Sequence, residues 1–167
     1  TMGGPGYYRE TNEDTTYVVT VVSQDAAGLR SDPIRIIVDF SGKYLGPVVL
    51  DLDRNGLNLI GPAASTTQFD MDANGTVERT GWVGAGDGLL VLDRNHDGRI
   101  NDGTEISFMG DKPGAASDLE GLAAYDSNGD GRLSALDVRF AEFQVWQDAN
   151  QDGVRQENEL ASPAPRA

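Results

Sequence analysis

The chain has 167 residues, 27 acidic side chains against 13 basic ones, a net charge of −14 and no cysteine. The missing cysteine excludes disulfides, thiolate metal sites and thiol nucleophiles, and the excess of acid has the wrong sign for binding a phosphate backbone. No apolar run reaches the roughly 18 residues of a membrane span. Acidity of this order also marks solvated, disordered chains. Here, however, 38% of the residues are hydrophobic, and 19 of the 27 acids are Asp placed by a rule.

Residues 15–22 (TTYVVTVV) and 34–40 (IRIIVDF) are rich in β-branched side chains and predict two strands, with the polar stretch 23–32 as their turn. The pair resembles the last hairpin of an immunoglobulin-like or cadherin-like repeat. On that reading residues 1–46 are the end of a sandwich repeat with its linker (41–46). The alternative is an extra edge of the domain that follows. Residues 47–162 form the main module and 163–167 a tail. Within the module, 48–50 and 57–60 predict short strands on either side of Asp51, Asp53, Asn55 and Gly56. That pattern, Asp-x-[Asp/Asn]-x-[Asn/Asp]-Gly, recurs from Asp70, Asp93, Asp126 and Asp148. The starts lie 19, 23, 33 and 22 residues apart, too irregular for a solenoid.

Residues 87–92 (DGLLVL) predict a turn and a buried strand leading into the third segment. Residues 117–120 (SDLE) have capping-box spacing and predict a short helix before the fourth. Val138, Ala141 and Val145 stand at i, i+3 and i+7, with Phe140, Phe143 and Trp146 in a second stripe. They predict a helix over 138–147 that joins the fourth segment rigidly to the fifth.

The five segments have the ligand register of calcium loops. Calcium takes six to eight oxygens at about 2.3–2.6 Å, from side chains at loop positions 1, 3 and 5, a carbonyl at 7, often a water at 9 and a carboxylate at 12, with Gly at 6 for the turn. The fourth loop fits throughout: Asp126, Asn128, Asp130, Gly131, the carbonyl of Arg132, Ser134 and Asp137. So does the fifth: Asp148, Asn150, Asp152, Gly153, the carbonyl of Val154, Gln156 and Glu159. The third supplies Asp93, Asn95, Asp97 and the carbonyl of Arg99. Its Thr104 stands at position 12, so Glu105 at 13 must close the shell, with Asp102 as a further candidate. His96 occupies position 4, where side chains point away from an ion.

The first two loops are half-sites. Asp51, Asp53 and Asn55 have Pro62 at position 12. Asp70, Asp72 and Asn74 have Gly81 there, with Glu78 at position 9. Each is either an Asx-turn or part of a cation site completed by the other loop or by a distant carboxylate such as Asp87. The cofactor expected is Ca2+.

Residues 47–160 resemble the calcium-dependent self-processing module of the secreted RTX proteins of Gram-negative bacteria. The resemblance is carried by 47–53 (PVVLDLD), 80–83 (TGWV), 87–91 (DGLLV), 126–130 (DSNGD), 145–148 (VWQD) and 150–153 (NQDG). It implies EF-hand-like loops, type I secretion and calcium-triggered cleavage of an Asp-Pro bond at the N-terminal edge, where the Asp carboxylate attacks its own carbonyl. The matching proline is Pro47, but Gly46 precedes it. Without that carboxylate the intramolecular nucleophile is missing, so no catalytic residue is assigned. Asp32-Pro33 lies fourteen residues upstream, where a proline opening an edge strand explains it.

The fold expected is therefore α+β: an EF-hand-like calcium-loop domain with short strands and helices, plus an N-terminal β-hairpin. The function expected is a calcium-binding module of an RTX-like or adhesin-like protein, secreted or at the cell surface. Its partners would be calcium ions and the flanking domains of a longer chain, with no nucleic acid and no membrane span. The alternatives are the autoproteolytic module itself and a dockerin-like interaction module.

Overall fold

The computed structural model describes residues 16–21, 34–39 and 46–163. The expected turn 23–32, the Asp32-Pro33 pair, linker residues 41–45 and tail residues 164–167 lie outside the described residues. The two β-branched stretches form β1 (Thr16–Val21) and β2 (Ile34–Asp39), paired antiparallel from Thr16↔Asp39 to Val21↔Ile34.

The module is built on four antiparallel strands: β3 (Val49–Asp51), β8 (Asp87–Leu92), β9 (Phe143–Trp146) and β10 (Leu160–Ala161). Their spatial order is β10-β9-β8-β3. Two short ribbons flank them, β4 (Leu59–Ile60) with β7 (Trp82–Val83) and β5 (Gln68–Phe69) with β6 (Glu78–Arg79).

The period of two along the central strands divides the core into two halves. Leu50, Leu90, Leu92, Phe143 and Val145 join Phe108 and Tyr125 in one half. Val49, Leu89, Val91 and Trp146 join Phe69, Trp82, Val83, Ile100 and Ile106 in the other. All six residues of β8 are buried. That explains why β8 reads as a near-continuous apolar run, since a sheet covered on both faces has no polar side to alternate with. In the second half, Phe69, Trp82 and Trp146 form a ring triad with centroids 5.3–5.9 Å apart.

Helix is scarce. Among the described residues there is one α-helical turn, α1 (Asp118–Gly121), continued by a 3-10 turn over Leu122–Tyr125. Ser117 caps it, accepting from the Glu120 N–H. The α+β, EF-hand-like expectation is thus overturned: the architecture is mostly β, and among the described residues no loop stands between two α-helices, the one helical stretch, Asp118–Tyr125, leading only into the fourth loop. The decisive segment is 138–147. It forms a 3-10 turn (Phe140–Glu142) and then strand β9, not a helix. Val138 is 85% exposed and Ala141 is exposed, so the apolar stripe of the helical reading has nothing to pack on. In the strand, Phe143 and Val145 face one half of the core and Trp146 the other, while the backbone pairs with β8 from Leu89↔Trp146 to Leu92↔Phe143. Burial on two faces outweighs helical spacing. The fourth and fifth loops are therefore linked through the central sheet.

Candidate metal centre

All five loops share one backbone. The glycine at position 6 has positive φ in each: Gly56 (97°), Gly75 (85°), Gly98 (78°), Gly131 (77°) and Gly153 (74°). Position 4 is also left-handed, at Arg54, Ala73, His96, Gly129 and Gln151. Four of those are not glycine, and each bears a conformational cost of about 1–2 kcal/mol. What holds them is the carboxylate at position 1. Its Oδ2 accepts the position-6 N–H in every loop: Asp51 (3.0 Å), Asp70 (2.8 Å), Asp93 (2.9 Å), Asp126 (2.7 Å) and Asp148 (2.9 Å).

The position-3 oxygens of Asp53, Asp72, Asn95, Asn128 and Asn150 accept the position-5 N–H at 2.8–3.2 Å. In the last three loops the position-5 carboxylates, Asp97, Asp130 and Asp152, accept the N–H of Arg99, Arg132 and Val154. The oxygen-bearing side chains are thereby turned inward.

The loops differ in how they close. In the third, Glu105 accepts from Arg94 N and Asn101 N, at positions 2 and 9. In the fourth, Asp137 does the same with Ser127 N and Ser134 N. In the fifth, Glu159 accepts from Gln156 N at position 9. Asp102, the further candidate, caps the 3-10 turn Gly103–Glu105 through its Oδ1, which accepts from Thr104 N.

In the first two loops other carboxylates stand beside the position-1 and position-3 acids. Asp51, Asp53 and Asp87 offer three oxygens that all lie within 4.8 Å of one another, as do Asp70, Asp72 and Glu78. Glu78 reaches back to Met71 N (2.9 Å). Asp87 stands 36 residues from Asp51 in sequence, but the antiparallel pairing of β3 and β8 sets the two directly opposite. Both are buried, at 7% and 1% exposure. Gly86 makes room for the approach, because a Cβ there would run into the Asp53 carboxylate.

Electrostatics set the first site apart. Burial pushes the Asp87 carboxyl above its ordinary range; the Asn58 N–H (2.7 Å) opposes this, and the charges of Asp51 and Asp53 add to it. Its second oxygen, Oδ1, is buried without a hydrogen-bond partner. Like charges opposite one another destabilise a sheet, and an unpaired buried oxygen costs about 1–3 kcal/mol. A divalent cation would remove both costs. The donors are hard oxygens, the set that suits calcium or magnesium and not softer metals, so the residues present fit calcium.

Two anchors escape a reading of the sequence. Trp82 Nε1 donates to Asp148 Oδ2 (2.8 Å) and Trp146 Nε1 to Glu159 Oε2 (3.3 Å). Burial pushes the Asp148 carboxyl up; the Gly153 N–H and the Trp82 indole oppose this, and the Glu159 charge adds to it.

Among the described residues no helix is long and apolar enough to cross a membrane. Over 139 residues the chain is 41% identical to the iron-regulated protein FrpA of Neisseria meningitidis serogroup C, an alignment covering 79% of this chain and 12% of that protein. The chain thus spans about an eighth of its relative's length. Residues 48–164, which hold all five loops and the central sheet, match the SPM domain family, and the chain belongs to that family.

Proposed function

We propose that this chain is a calcium-binding module of a secreted, RTX-like or adhesin-like protein, which takes up Ca2+ outside the cell and is stabilised by it. The observation that carries the reading is the Asp87 carboxylate, buried opposite Asp51 with one oxygen unpartnered. Five loops with one backbone and inward-turned oxygens support it, as does kinship with the iron-regulated protein FrpA.

The chemistry is linkage. A ligand that binds only the folded chain adds RT ln(1 + [L]/Kd) to its stability. At roughly 1 mM calcium and a Kd of about 10⁻⁴ M, that is about 1.4 kcal/mol per site. In cytosol, where free calcium is far below such a Kd, the same sites contribute almost nothing. Self-cleavage does not follow for this chain, because Gly46 has no carboxylate to attack the bond before Pro47.

Calorimetric titration of the chelator-treated chain should show heats of calcium binding, and its melting temperature should rise by several degrees in millimolar calcium. An unchanged melting curve together with no binding heat refutes the proposal.

A further inference from the structure

We propose that Trp82 and Trp146 are positioning residues of the fifth loop: their indole N–H groups hold the carboxylates at its two ends, so that filling the loop with calcium and closing the aromatic core are one event. This rests on the calcium reading above and adds to it which site is tied to the fold.

These are the chain's two tryptophans, and both donate to one loop. Trp82 comes from β7 and Trp146 from β9, 66 and 13 residues from the carboxylates they reach. Their rings meet edge-on at 5.5 Å, and Phe69 touches both. Asp148 is fully buried and Glu159 nearly so. Further bonds fasten the loop to the same half of the core. Thr67 Oγ1 donates to the Gln151 carbonyl (2.7 Å), and Gln151 Nε2 donates to the Val83 carbonyl (3.0 Å).

A tryptophan has a large apolar body and a single donor. Packing fixes the body, so the donor fixes the carboxylate. Ligand groups oriented this way lose little freedom when the cation arrives, and removing such outer partners typically weakens metal binding about 10–100-fold.

The test is a calcium titration of the full, isotope-labelled chain followed by nuclear magnetic resonance. The amides of Gly56, Gly75, Gly98, Gly131 and Gly153 each donate to the first carboxylate of their own loop and report the loops separately. Both indole N–H signals should move with the midpoint of Gly153, not with that of Gly131. Trp82→Phe, which keeps an aromatic ring and removes the donor, should weaken the fifth loop roughly 10–100-fold and leave the Gly131 midpoint within about twofold. A merely structural tryptophan would lower stability without this selective loss.

Indole signals that follow another loop, or a Gly153 midpoint in Trp82→Phe within about twofold of the unsubstituted chain, overturn the inference. If Trp82→Phe does not fold, the indole midpoints of the unsubstituted chain decide it. A silent Gly153 with responding amides elsewhere refutes the inference and spares the calcium reading. Silence at all five refutes both.

Discussion

The fourth and fifth loops share a backbone and a ligand register but are attached to the molecule in different ways. Asp137 closes the fourth loop through backbone N–H groups of that same loop, and the neighbours of Asp137, Leu136 and Val138, are 77% and 85% exposed. A Cβ added at Gly131 would meet nothing. The fifth loop is pressed into the core: tryptophans hold both terminal carboxylates, and a Cβ at Gly153 would collide with the Gln68 carbonyl. The loop's shape is thus written in its own dozen residues, whereas its weight in the stability of the module is set by what it is fastened to.

The largest test of that contrast is Asp148→Ala against Asp126→Ala. The first leaves the Trp82 indole and the Gly153 amide buried without acceptors, and should cost about 3–5 kcal/mol in chemical denaturation. The second removes a local turn-holding acceptor and should cost about 1 kcal/mol. Equal losses would break the comparison.

Gly153→Ala and Gly131→Ala sharpen it. Both incur left-handed strain, and at Gly131 about 1 kcal/mol is all that is expected. At Gly153 the clash with backbone should bring the loss to roughly 2–3 kcal/mol.

A smaller effect is expected from pH. Burial first of all pushes Asp87, Glu105, Asp118 and Asp148 above their ordinary range. Each therefore binds its proton more tightly when folded. The stability this gives is complete below the ordinary carboxylate range and lost as pH rises through the raised values. Asp97 and Asp137 run the other way: burial pushes each up, but hydrogen bonds outweigh it, from the Asn101 side chain and Arg99 N–H in the first and from the N–H groups of Ser134 and Ser127 in the second. On balance the chelated chain should melt higher at mildly acidic than at neutral pH. Calcium should flatten the slope, leaving the part due to Asp118, which lies in no loop. The smallest change is expected for Leu136→Ser and Val138→Ser, each within about 0.5 kcal/mol.

The shared backbone of the five loops was legible because such a turn demands particular residue types at fixed spacing, and nothing distant is needed to recognise Asp-x-[Asp/Asn]-x-[Asn/Asp]-Gly. The strand at 87–92 was legible for a similar reason, its apolar run having no helical period. Residues 143–146 (FQVW) were not. Their apolar side chains satisfy a period of 3.6 when taken with Val138 and Ala141, and a period of two when taken alone. Only the pairing with β8 decides between them. Asp87 could be named from the sequence only as one distant carboxylate able to join a half-site; which half-site it joins comes from the register that sets it opposite Asp51. Trp146 read as one member of an aromatic stripe and Trp82 only as part of the stretch 80–83; both lie in the core, and their second task depends on where two N–H bonds point.

The pairing of Asp51 with Asp87 has one more consequence. Side chains along a strand alternate between faces, so a slip of one residue turns every side chain over. If β3 slipped by one against β8, Asp51 would leave the trio, and Asp87 would be buried beside an apolar neighbour. The correct alignment is the one that gathers three carboxylates, and it is penalised unless a cation joins them. Such an ion would act as a proofreader of the central sheet, rewarding one alignment of its strands over the slipped ones.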